Sequence, residues 1–538
     1  MPASATSFDY IVVGAGSAGC VLANRLSADG RHSVLLLEAG PPDTYPWIHI
    51  PIGYAKTMFH PVLNWGFYTE PDPGMNGRKV YWPRGRTLGG SSAINGLISI
   101  RGQREDYDEW AAQGNPGWGW DDVLPWFRRL EHNVRGESEY HGASGLLWAS
   151  DIGAPHPLVE AMIAGAGELG IPRNDDFNGA RQEGAGYYQL TTRRGRRCST
   201  AVAYLRPARG RPNLRVETEA QATRVLFEGT RASGVRYRHG GSDHDASARR
   251  EVVLAAGALQ SPQLLQLSGV GPASLLQAQG IPVVRALEGV GANLQDHLQA
   301  RVIFRCTRPI TTNDMLATWH GKLALGLQYV LARRGPMAVG INQGGIFARA
   351  MPDAKRPDIQ FHFATLSSDM AGSPVHRFSG FTMSVCQLRP SSRGNVRIRS
   401  TDPFEAPAMQ ANYLSTAEDR ATLVAGIRLA RSLAATRAMR PLVAGEYRPG
   451  PEALTDDDLL EFARNTAGTI FHPSGTTKMG PAADPAAVVD AELRVHGVAG
   501  LRVVDCGIMP KLVSGNTNVP VVMIAEKTAA TMLGTAHD

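Results

Sequence analysis

The order of apolar and polar positions predicts that the chain opens with a βαβ unit. Residues 10–13 are apolar, residues 14–19 form a glycine-rich turn, residues 20–26 follow a helical pattern, and residues 33–37 are apolar again. Strand, turn, helix and strand in this order indicate two parallel strands joined by a crossover helix. We therefore expect a parallel sheet at the start of the fold.

Two later regions carry similar signals. Residues 251–256 read as a buried strand, and a helix start follows at Ser261, with Pro262 in its first turn. Near the end, residues 501–504 are apolar, and a turn with Gly and Asn leads into a last helix from about Val519. Distant segments of the chain are therefore expected to complete one α/β domain.

The pattern changes between about residues 300 and 440. Residues 359–363 and 395–399 alternate between apolar and polar side chains, whereas residues 421–433 follow a helical period. Mixed strands and helices of this kind predict an α+β lobe. Because 538 residues exceed a typical single core, two lobes built from interleaved segments are the natural expectation.

The composition is that of a globular protein with a slight excess of basic residues. The chain has 55 basic and 49 acidic residues, a formal net charge of +6, and 43% hydrophobic residues. Its densest basic cluster, Arg193, Arg194, Arg196 and Arg197, has no interleaved aromatic side chains that could stack on bases. We therefore predict that this cluster is a solvated loop and that the protein has no nucleic-acid partner.

The cysteines and the N-terminus bear on the compartment. Five scattered cysteines show no CxxC or Cys/His spacing, so neither a disulfide framework nor a metal site is predicted. Residues 1–7 run directly into an apolar strand without room for a signal peptide, and no apolar run approaches the ~18 residues of a membrane span. These features predict a cytoplasmic protein, with peripheral contact at the inner membrane left open.

The glycine turn has the form of a dinucleotide-binding motif. Gly14, Gly16 and Gly19 follow a strand and open a helix, and Glu38 stands at the end of the next strand. Gly14 permits the tight turn, Gly16 lets the backbone approach a pyrophosphate, and Gly19 lets helix and strand pack closely. Glu38 can accept hydrogen bonds from both ribose hydroxyls. The motif predicts a bound dinucleotide but does not separate NAD from FAD.

Two further glycine-containing segments stand at residues 85–96, GRTLGGSSAING, and at residues 257–271. They resemble the first and second signatures of the glucose–methanol–choline (GMC) oxidoreductase family, flavoenzymes that mostly oxidise alcohols. The resemblance continues through GVGANLQDH at 289–297, RGNV at 393–396, FHPSGT at 471–476 and the segment 505–518. It therefore spans nearly the whole chain, and it implies that the dinucleotide is FAD.

The resemblance also implies a fold, a division into domains and a set of cofactor contacts. We expect an α/β FAD-binding, Rossmann-like domain with an interleaved α+β substrate-binding domain. The first domain is assigned residues 1–155, 190–300 and 455–538, and the second is assigned residues 156–189 and 301–454. The residues expected around FAD are Gly14, Gly16, Ser17, Ala18, Gly19, Glu38, Ala39, Trp65, Leu88, Gly89, Gly90, Ser91, Ser92, Asn95, Gly96, Leu97, Ile98, Ala222, Asp505, Cys506, Asn516, Thr517, Asn518 and Val519.

Ile94 bears on how FAD is held. Family members with covalently bound flavin have a histidine within the first signature, at the place where this chain has Ile94. An isoleucine side chain cannot form that bond. The resemblance therefore implies non-covalent FAD.

Alcohol oxidation needs a base near the flavin, because the hydroxyl proton must leave as a hydride passes from the adjacent carbon to flavin N5. Histidine suits this role since its pKa lies near neutrality. His472 matches the family's catalytic position, and Asn516 matches its second active-site position. The Asn516 amide can hydrogen-bond the substrate oxygen without competing for the proton. His297, beside Asp296, is the rival base, although the resemblance implies a structural or flavin-supporting role for it.

The predicted function is FAD-dependent oxidation of an alcohol to an aldehyde or ketone, with His472 as general base. Choline dehydrogenase is one alternative. Related enzymes often carry a glutamate that balances the quaternary ammonium, and this chain has Gln343 at that position, whose neutral amide counts against choline. A flavin-dependent lyase or photodecarboxylase is another, because the same fold hosts both. A nucleotide-binding protein without catalysis is a third. The alcohol, the electron acceptor (quinone or oxygen) and the oligomeric state are left open.

Overall fold

Two seven-stranded sheets organise the structure, a computed structural model that describes residues 6–153, 155–370 and 372–535. The first sheet contains the predicted βαβ unit, whose helix is Ser17–Leu26. Its strands, in spatial order, are Leu214–Glu217, Val34–Leu37, Thr6–Val13, Ser242–Leu254, Arg231–His239 and Gln221–Glu228, with Leu501–Val503 pairing beside Ser242–Leu254.

The first sheet is parallel on one side and antiparallel on the other. The pairs that involve Thr6–Val13 and Leu501–Val503 are parallel, whereas Arg231–His239 pairs with both its neighbours in antiparallel fashion. Val34–Leu37 is buried along its whole length, as expected for a parallel strand covered on both faces. The predicted apolar runs at residues 251–256 and 501–504 therefore do join the opening strand in one sheet.

The second sheet is antiparallel, and four of its seven strands come from the predicted α+β region between about residues 300 and 440. Its strands, in spatial order, are Val443–Arg448, Leu298–Cys306, Gly380–Gln387, Ile359–Ala364, Asn342–Ala348 and Gly184–Tyr187, with Gly468–Thr469 pairing beside Leu298–Cys306. Gly380–Gln387 and Ile359–Ala364 are buried throughout. Helix Ala417–Ala434 packs on one face of this sheet.

Shorter elements complete the fold. The remaining strands form the pairs Phe67–Tyr68 with Tyr81–Trp82, Glu131–Asn133 with Leu147–Ala149, Thr192–Arg193 with Arg196–Arg197, Val270–Gly271 with Arg285–Ala286, and Asn395–Arg397 with Ala408–Gln410. The other α-helices are Pro46–His49, Tyr54–Thr57, Arg104–Ala112, Trp120–Leu130, Pro157–Glu168, Arg206–Ala208, Gln260–Leu267, Ala273–Ala278, Thr312–Ala317, Trp319–Ala332, Asp456–Thr466 and Asn518–Leu533.

The first and last helices pack together against the first sheet. The Arg25 guanidinium forms a two-pronged ion pair with Glu526, at 2.7 and 2.8 Å, and the Tyr204 hydroxyl donates to the same carboxylate at 2.8 Å. Glu526 is buried, so these partners offset the cost of removing its charge from water. The contact joins the last turn of the first helix to the middle of the last helix and fixes the two helices side by side.

The prediction of a solvated loop at the basic cluster is wrong for Arg197. The cluster forms a hairpin, and Arg197 is buried with only 2% of its surface exposed. Its guanidinium donates to the carbonyls of Ile48 and Asn95 at 2.8 Å each and to the Asn95 side chain at 2.6 Å. Burial lowers the pKa of Arg197 to about 9. Backbone carbonyls satisfy this cation, and a run of arginines in the sequence does not reveal them.

Among the described residues, the helices are either too short or too polar to reach across a lipid bilayer.

Candidate active site

One cavity of about 510 Å³ joins the glycine turn to His472 and brings most of the predicted residues together. The predicted residues that line it are Gly14, Gly16, Ser17, Ala18, Glu38, Ala39, Trp65, Gly90, Ser91, Asn95, Gly96, Leu97, Ile98, Ala222, Asp505, Cys506, Asn516, Thr517, Asn518 and His472. The predicted residues Gly19, Leu88, Gly89, Ser92 and Val519 do not line it. These five support the walls instead: Leu88 and Val519, for example, lie in the core around the first sheet.

The glycine turn has the geometry that the motif predicts. Gly14 has φ +97°, a left-handed conformation that favours glycine, and a Cβ at that position would lie 2.7 Å from the Ala255 carbonyl oxygen. A Cβ at Gly19 would lie 1.8 Å from the Gly14 carbonyl oxygen. Gly19 therefore acts through close packing of helix on strand and not through the cavity.

Two helices begin beside each other at the cavity. The hydroxyl of Ser17, in the first turn of the first helix, donates to the Asn518 side chain, at the start of the last helix, at 2.8 Å. Among the residues that the structure describes, no side chain caps the N-terminal N–H groups of either helix. Uncapped N–H groups and the positive ends of the helix dipoles favour an anion, and a pyrophosphate suits both features.

Glu38 lies where the motif places it, but its carboxylate already accepts two backbone hydrogen bonds. The N–H groups of Ala15 and Gly40 each donate to it at 2.9 Å. Burial raises the pKa of Glu38 to about 7, against the effect of these two hydrogen bonds. Since a carboxylate has about four acceptor positions, two remain for ribose hydroxyls.

The first signature segment passes directly over the glycine turn. A Cβ at Gly90 would lie 2.7 Å from the Cα of Gly16, so only glycine allows the two backbones to approach this closely. Ile94 is buried beside Ile48 and also lines the cavity. Asp505 lines the cavity too, but its carboxylate accepts hydrogen bonds from Gly257, Ser261 and Gly507 at 2.6 to 2.9 Å. It holds two loops together at the cavity wall.

FAD fits these residues. The closely packed glycines leave room beside the backbone, the uncapped helix starts suit a pyrophosphate, and Glu38 has free acceptor positions. Trp65 adds an apolar surface to the same cavity, and the Arg86 guanidinium lies 4.9 Å from its ring centroid.

His472 stands at the other end, held by its neighbours from two directions. The Asp296 carboxylate accepts the His472 backbone N–H at 2.8 Å, and the Nδ1 atoms of His297 and His472 lie 2.9 Å apart. Phe471 has φ 72°, a strained conformation for a bulky residue. Its N–H donates to the Thr469 hydroxyl at 2.6 Å. These contacts fix the position of the His472 ring.

The hydrogen bonds determine which nitrogen of His472 carries the proton. His297 Nε2 lies 2.9 Å from the Leu388 carbonyl oxygen, which can only accept, so Nε2 carries the hydrogen. The Nδ1 of a neutral His297 is then an acceptor, and His472 Nδ1 must donate to it. The His472 Nε2 atom is left with its lone pair, 3.3 Å from the amide nitrogen of Asn516.

The surroundings keep His472 unprotonated. Burial lowers the pKa of His472 well below its ordinary value, and His297, His362 and Arg84 lower it further. Burial also lowers the pKa of His297, to about 4. The Asn516 side-chain oxygen accepts from Gln360 at 3.3 Å, which turns its amide N–H₂ toward His472. The arrangement presents one neutral acceptor nitrogen to the cavity and can remove a proton from a bound hydroxyl group.

The second sheet supplies cavity residues that the sequence analysis did not single out. Gln299, Arg301, Ser384 and His362 all line the cavity, and register places Arg301 opposite Ser384 and Ser384 opposite His362. Their signal was present, because polar residues alternate with apolar ones at 298–302 and 359–363. Gln343, by contrast, does not line the cavity. Its neutral amide is therefore no evidence for or against choline as the substrate.

The chain matches one protein family over most of its length. Profiles of the GMC oxidoreductase family match residues 8–299 and residues 390–525. It is 44% identical over 534 residues to the mitochondrial choline dehydrogenase of Mus musculus, covering 98% of this chain and 89% of that protein. It is also 44% identical over 527 residues to an alcohol dehydrogenase [acceptor] of Pseudomonas putida, covering 97% and 95%.

Solved structures agree with this match. Pyridoxine 4-oxidase from Mesorbium loti superposes with a TM-score of 0.88 at 31% identity, covering 98% of this chain and 99% of that one. A formate oxidase from Aspergillus oryzae superposes with a TM-score of 0.92 at 26% identity, covering 99% of both chains. The predicted FAD-binding α/β fold and the predicted FAD-dependent oxidoreductase are thereby confirmed. The chain belongs to the GMC oxidoreductase family.

Proposed function

We propose that the protein oxidises an alcohol to an aldehyde or ketone, with His472 as the general base. The observation that carries this proposal is the lone pair on His472 Nε2, which the hydrogen bonds through His297 to the Leu388 carbonyl direct to the cavity. Relatives named as an alcohol dehydrogenase and as choline dehydrogenases support the same substrate chemistry. FAD, when bound, supplies the acceptor for the hydride that leaves the alcohol carbon.

The chain's own residues provide the remaining steps. An alcohol hydroxyl that approaches His472 Nε2 donates its proton there, and the imidazolium formed is stabilised by its Nδ1–H···Nδ1 bond to His297. The Asn516 amide, now 3.3 Å from that nitrogen, is placed to hydrogen-bond the substrate oxygen as its negative charge develops. Both side chains act from fixed positions, because the Asp296 carboxylate and the Gln360 amide hold them.

We further infer that FAD is bound non-covalently and that the glycine turn, Glu38, Trp65 and the residues 90–98 hold it. Ile94 supports the first point, since its side chain offers no nucleophile. The assignment of residues 1–155, 190–300 and 455–538 to the FAD-binding domain belongs to the same proposal. The five cysteines are free, which fits a reducing compartment such as the cytoplasm.

The site disfavours choline. Arg301 lines the cavity close to His362, and Gln299 next to it is neutral. A quaternary ammonium would meet a like charge at this end, and a lyase or photodecarboxylase would have no need of a poised proton acceptor beside Asn516. Whether a quinone or oxygen takes up the electrons is decided by the experiment below.

Anaerobic addition of alcohols tests this function. An alcohol substrate should bleach the yellow flavin absorbance of the holoenzyme, and aldehyde or ketone should form in equal amount. Choline should be a poor reductant beside an uncharged primary alcohol. Readmission of oxygen, in parallel with a quinone analogue, then distinguishes an oxidase from a dehydrogenase. Flavin that no alcohol reduces, or that reacts only in light with a carboxylic acid, would refute the proposal.

A further inference from the structure

Arg301 is a cation inside the cavity, on the strand that follows His297. Residues 299 and 301 share one face of the strand Leu298–Cys306, and both line the cavity. Arg301 lies close enough to Tyr54 and His362 to affect both electrostatically. Burial raises the pKa of Tyr54 to about 12 against the effect of Arg301, and burial lowers the pKa of His362 to about 3 with the help of Arg301. Both of those residues line the cavity as well. The guanidinium therefore belongs to the end of the cavity near His472.

Arg301 has no partner within the described part of the chain. Its guanidinium forms no hydrogen bond and no ion pair, and burial lowers its pKa without a nearby carboxylate to oppose the effect. The neighbouring side chains on this face of the sheet, Gln299, Thr382, Ser384 and His362, are all uncharged. The Gln299 amide already donates to His362 at 3.1 Å.

Other arginines in the interior of this protein do have hydrogen-bond or ion-pair partners. Arg197, which is buried, donates to four carbonyl or amide oxygens, and Arg101 pairs with Glu131 at 2.8 Å. Arg301 is partly exposed, where it faces the cavity, and it has no such partner within the described residues. A cation that is partly withdrawn from water without a partner costs folding free energy, because the lost hydration is not replaced. A cation kept at that cost, facing a cavity, is suited to an anionic ligand.

We propose that Arg301 binds a carboxylate on the substrate, so that the alcohol is a hydroxy acid. This proposal rests on the proposed function for its alcohol half, since His472 must meet the hydroxyl. Arg301 lies four positions after His297 in the chain, which corresponds to ~13 Å between their Cα atoms at strand spacing. A substrate that reaches both groups carries its hydroxyl and carboxylate at opposite ends of a short chain. The product is then an oxo acid, with the carboxylate unchanged.

Binding of hexanoate tests the carboxylate site without any reaction. Calorimetric titration of the holoenzyme should show hexanoate binding at least tenfold more tightly than hexanamide, its uncharged and unreactive analogue, and the difference should fall with added salt. Arg301→Gln should remove the preference, with a roughly 10–100-fold loss in affinity, as expected for a charged hydrogen bond. Arg305→Gln is the matched control, because Arg305 lies exposed on the same strand, over the Phe378 ring, outside the cavity.

Steady-state rates test the substrate half. In the parent, kcat/KM for 6-hydroxyhexanoate should exceed that for 1-hexanol, and Arg301→Gln should raise KM for the acid while sparing 1-hexanol. Arg301→Lys should restore part of the preference for the acid. If Arg301→Gln does not fold, Arg301→Lys is compared directly with the parent. Equal binding of hexanoate by parent and Arg301 variants, or tighter binding of hexyl phosphate than of hexanoate, would overturn the proposal. If no alcohol reduces the flavin while hexanoate binds through Arg301, the proposed function fails and the anion site stands.

The surface helix Trp319–Ala332 carries an apolar stripe on its outer side. Trp319, Leu323, Leu327, Val330 and Leu331 are between 49% and 80% exposed, and helical spacing places them within one third of the circumference. We call them the apolar helix face. The opposite side is anchored by Leu325 and Tyr329, which are buried. Isolated exposed apolar residues are common, but a contiguous stripe marks a contact surface.

The surroundings of the apolar helix face are basic. Lys322, Arg333 and Arg334 are exposed at the helix or just beyond it, and residues 319–334 contain no acidic residue. The hairpin at Arg193–Arg197 packs against the helix end, since a Cβ at Gly195 would lie 2.2 Å from the Arg333 carbonyl oxygen. That contact adds the exposed Arg194 and Arg196. Within the described residues none of these five cations forms an ion pair.

The structure assigns this surface to an anionic phospholipid bilayer. An apolar stripe bordered by arginine and lysine suits the interface of such a membrane, where apolar side chains enter the acyl boundary and cations meet the headgroups. A second copy would bring the same cations opposite each other across a two-fold axis, so charge disfavours it. Leu316, just before the helix, lines the cavity, so docking would bring the cavity wall near the bilayer.

Sedimentation with lipid vesicles tests this assignment. The holoenzyme should bind vesicles of phosphatidylcholine with one third phosphatidylglycerol at least tenfold more tightly than vesicles of phosphatidylcholine alone. The double variant Leu323→Glu/Leu327→Glu should lose that binding and keep its activity on a soluble alcohol. Leu454→Glu, which changes another exposed leucine, is the matched control. Unchanged vesicle binding by the double variant would refute the assignment. So would a dimer mass of the parent in light scattering that falls to the monomer mass in the double variant, because a second copy would then cover the helix face.

Discussion

His297 and His472 meet nitrogen to nitrogen, with their Nδ1 atoms 2.9 Å apart. Both rings are buried, and within the described part of the chain neither ring has a carboxylate as hydrogen-bond partner. Only one of the two nitrogens can carry the proton, and the Leu388 carbonyl decides which. A backbone carbonyl thereby sets the tautomer of a side chain two residues further along the hydrogen-bond chain.

Loss of the His472 ring should slow alcohol oxidation without loss of FAD. His472→Ala removes the proton acceptor, and positioned acid–base catalysis is worth ~10²–10⁴-fold, equivalent to ~3–5.5 kcal/mol of barrier. Asn516→Ala should cost less, because a water molecule can partly replace a neutral amide donor. The rate of flavin reduction after anaerobic mixing with alcohol measures the chemical step. If His472→Ala reduced its flavin as fast as the parent while His297→Ala did not, His297 would be the base.

His297 should act by holding the tautomer of His472. His297→Ala leaves the His472 Nδ1–H without its acceptor, so the ring can turn or take the other tautomer, and flavin reduction should slow by roughly tenfold to hundredfold. His297→Gln should recover part of the rate, since its amide oxygen can accept the same hydrogen. A purely structural role would predict similar losses in both variants. Equal rates for the two, with normal thermal stability, would contradict the tautomer argument.

Alcohol oxidation should persist into mildly acidic solution. Because burial lowers the pKa of His472 well below its ordinary value, the base stays unprotonated at pH values at which an ordinary histidine is already charged. A base is active above its folded-state pKa and inactive below it, so the acid limb of kcat/KM should lie below the ordinary histidine range of about 6.5. Profiles with an uncharged alcohol avoid titration of the substrate. A limb near pH 6.5 or above would show that the ring is more hydrated than the structure indicates.

Glu38 should contribute to FAD binding in two ways. Its carboxylate holds the N–H groups of Ala15 and Gly40, and its remaining acceptor positions face the cavity. Glu38→Ala should weaken FAD binding by roughly 1.5–3 kcal/mol, the scale of a charged hydrogen bond, and should also lower Tm of the apoprotein because two amides lose their acceptor. Flavin fluorescence on dilution measures the first effect. Unchanged flavin retention would refute the ribose role, whatever happened to Tm.

The part of the site that could be predicted from sequence consists of short local motifs. The positions of Gly14 and Glu38 follow from spacing within one strand–turn–helix–strand unit, and that of His472 follows from the resemblance of one short turn to a family motif. Arg301, Gln299 and His362 come together through the pairing of strands that lie far apart in the chain, and register is not visible locally. The Leu388 carbonyl is a backbone group and has no sequence signature.

The helix boundaries show the same limit at shorter range. The first helix begins at Ser17, within the expected turn, because the glycines themselves supply its uncapped start. The strand predicted at residues 395–399 is shorter and forms a separate two-stranded sheet with Ala408–Gln410. Alternation predicted an extended segment there but could not identify its partner. The proposed boundaries between the two domains stay a prediction.

FAD should leave the protein completely on acid precipitation. Ile94 occupies the place of the linking histidine and is packed beside Ile48, so it offers no nucleophile to the flavin. The supernatant should contain flavin in a one-to-one ratio to protein, and the pellet should be colourless. Flavin that remained with the washed pellet would show a covalent bond to another residue of the cavity.

His141 should make the folded state less stable as the solution becomes alkaline. Its ring lies between the carboxylates of Glu131, 2.7 Å from Nδ1, and Asp176, 2.8 Å from Nε2. Burial alone would lower the pKa of His141, but the hydrogen bonds to these carboxylates outweigh it and raise the pKa to about 9. A protonated ring is thus favoured in the folded state relative to the unfolded chain. Its contribution to stability is complete below pH ~6.5 and is lost as the pH rises through 9.

The two pKa values of His141 also set the size of its contribution to the free energy of unfolding. A rise from 6.5 to about 9 corresponds to at most ~3.5 kcal/mol in the free energy of unfolding, since one pKa unit is worth ~1.4 kcal/mol, and solvent screening of the partly buried ring reduces this to roughly 2–3 kcal/mol. His141→Gln should therefore lower Tm most at pH 6, and the difference from the parent should shrink toward pH 9. His320→Gln, which changes an exposed histidine, is the control and should shift Tm equally little at both pH values. A difference for His141→Gln that stayed constant from pH 6 to pH 9 would mean that the ring is neutral in the folded protein, because only a charged ring couples its loss to pH.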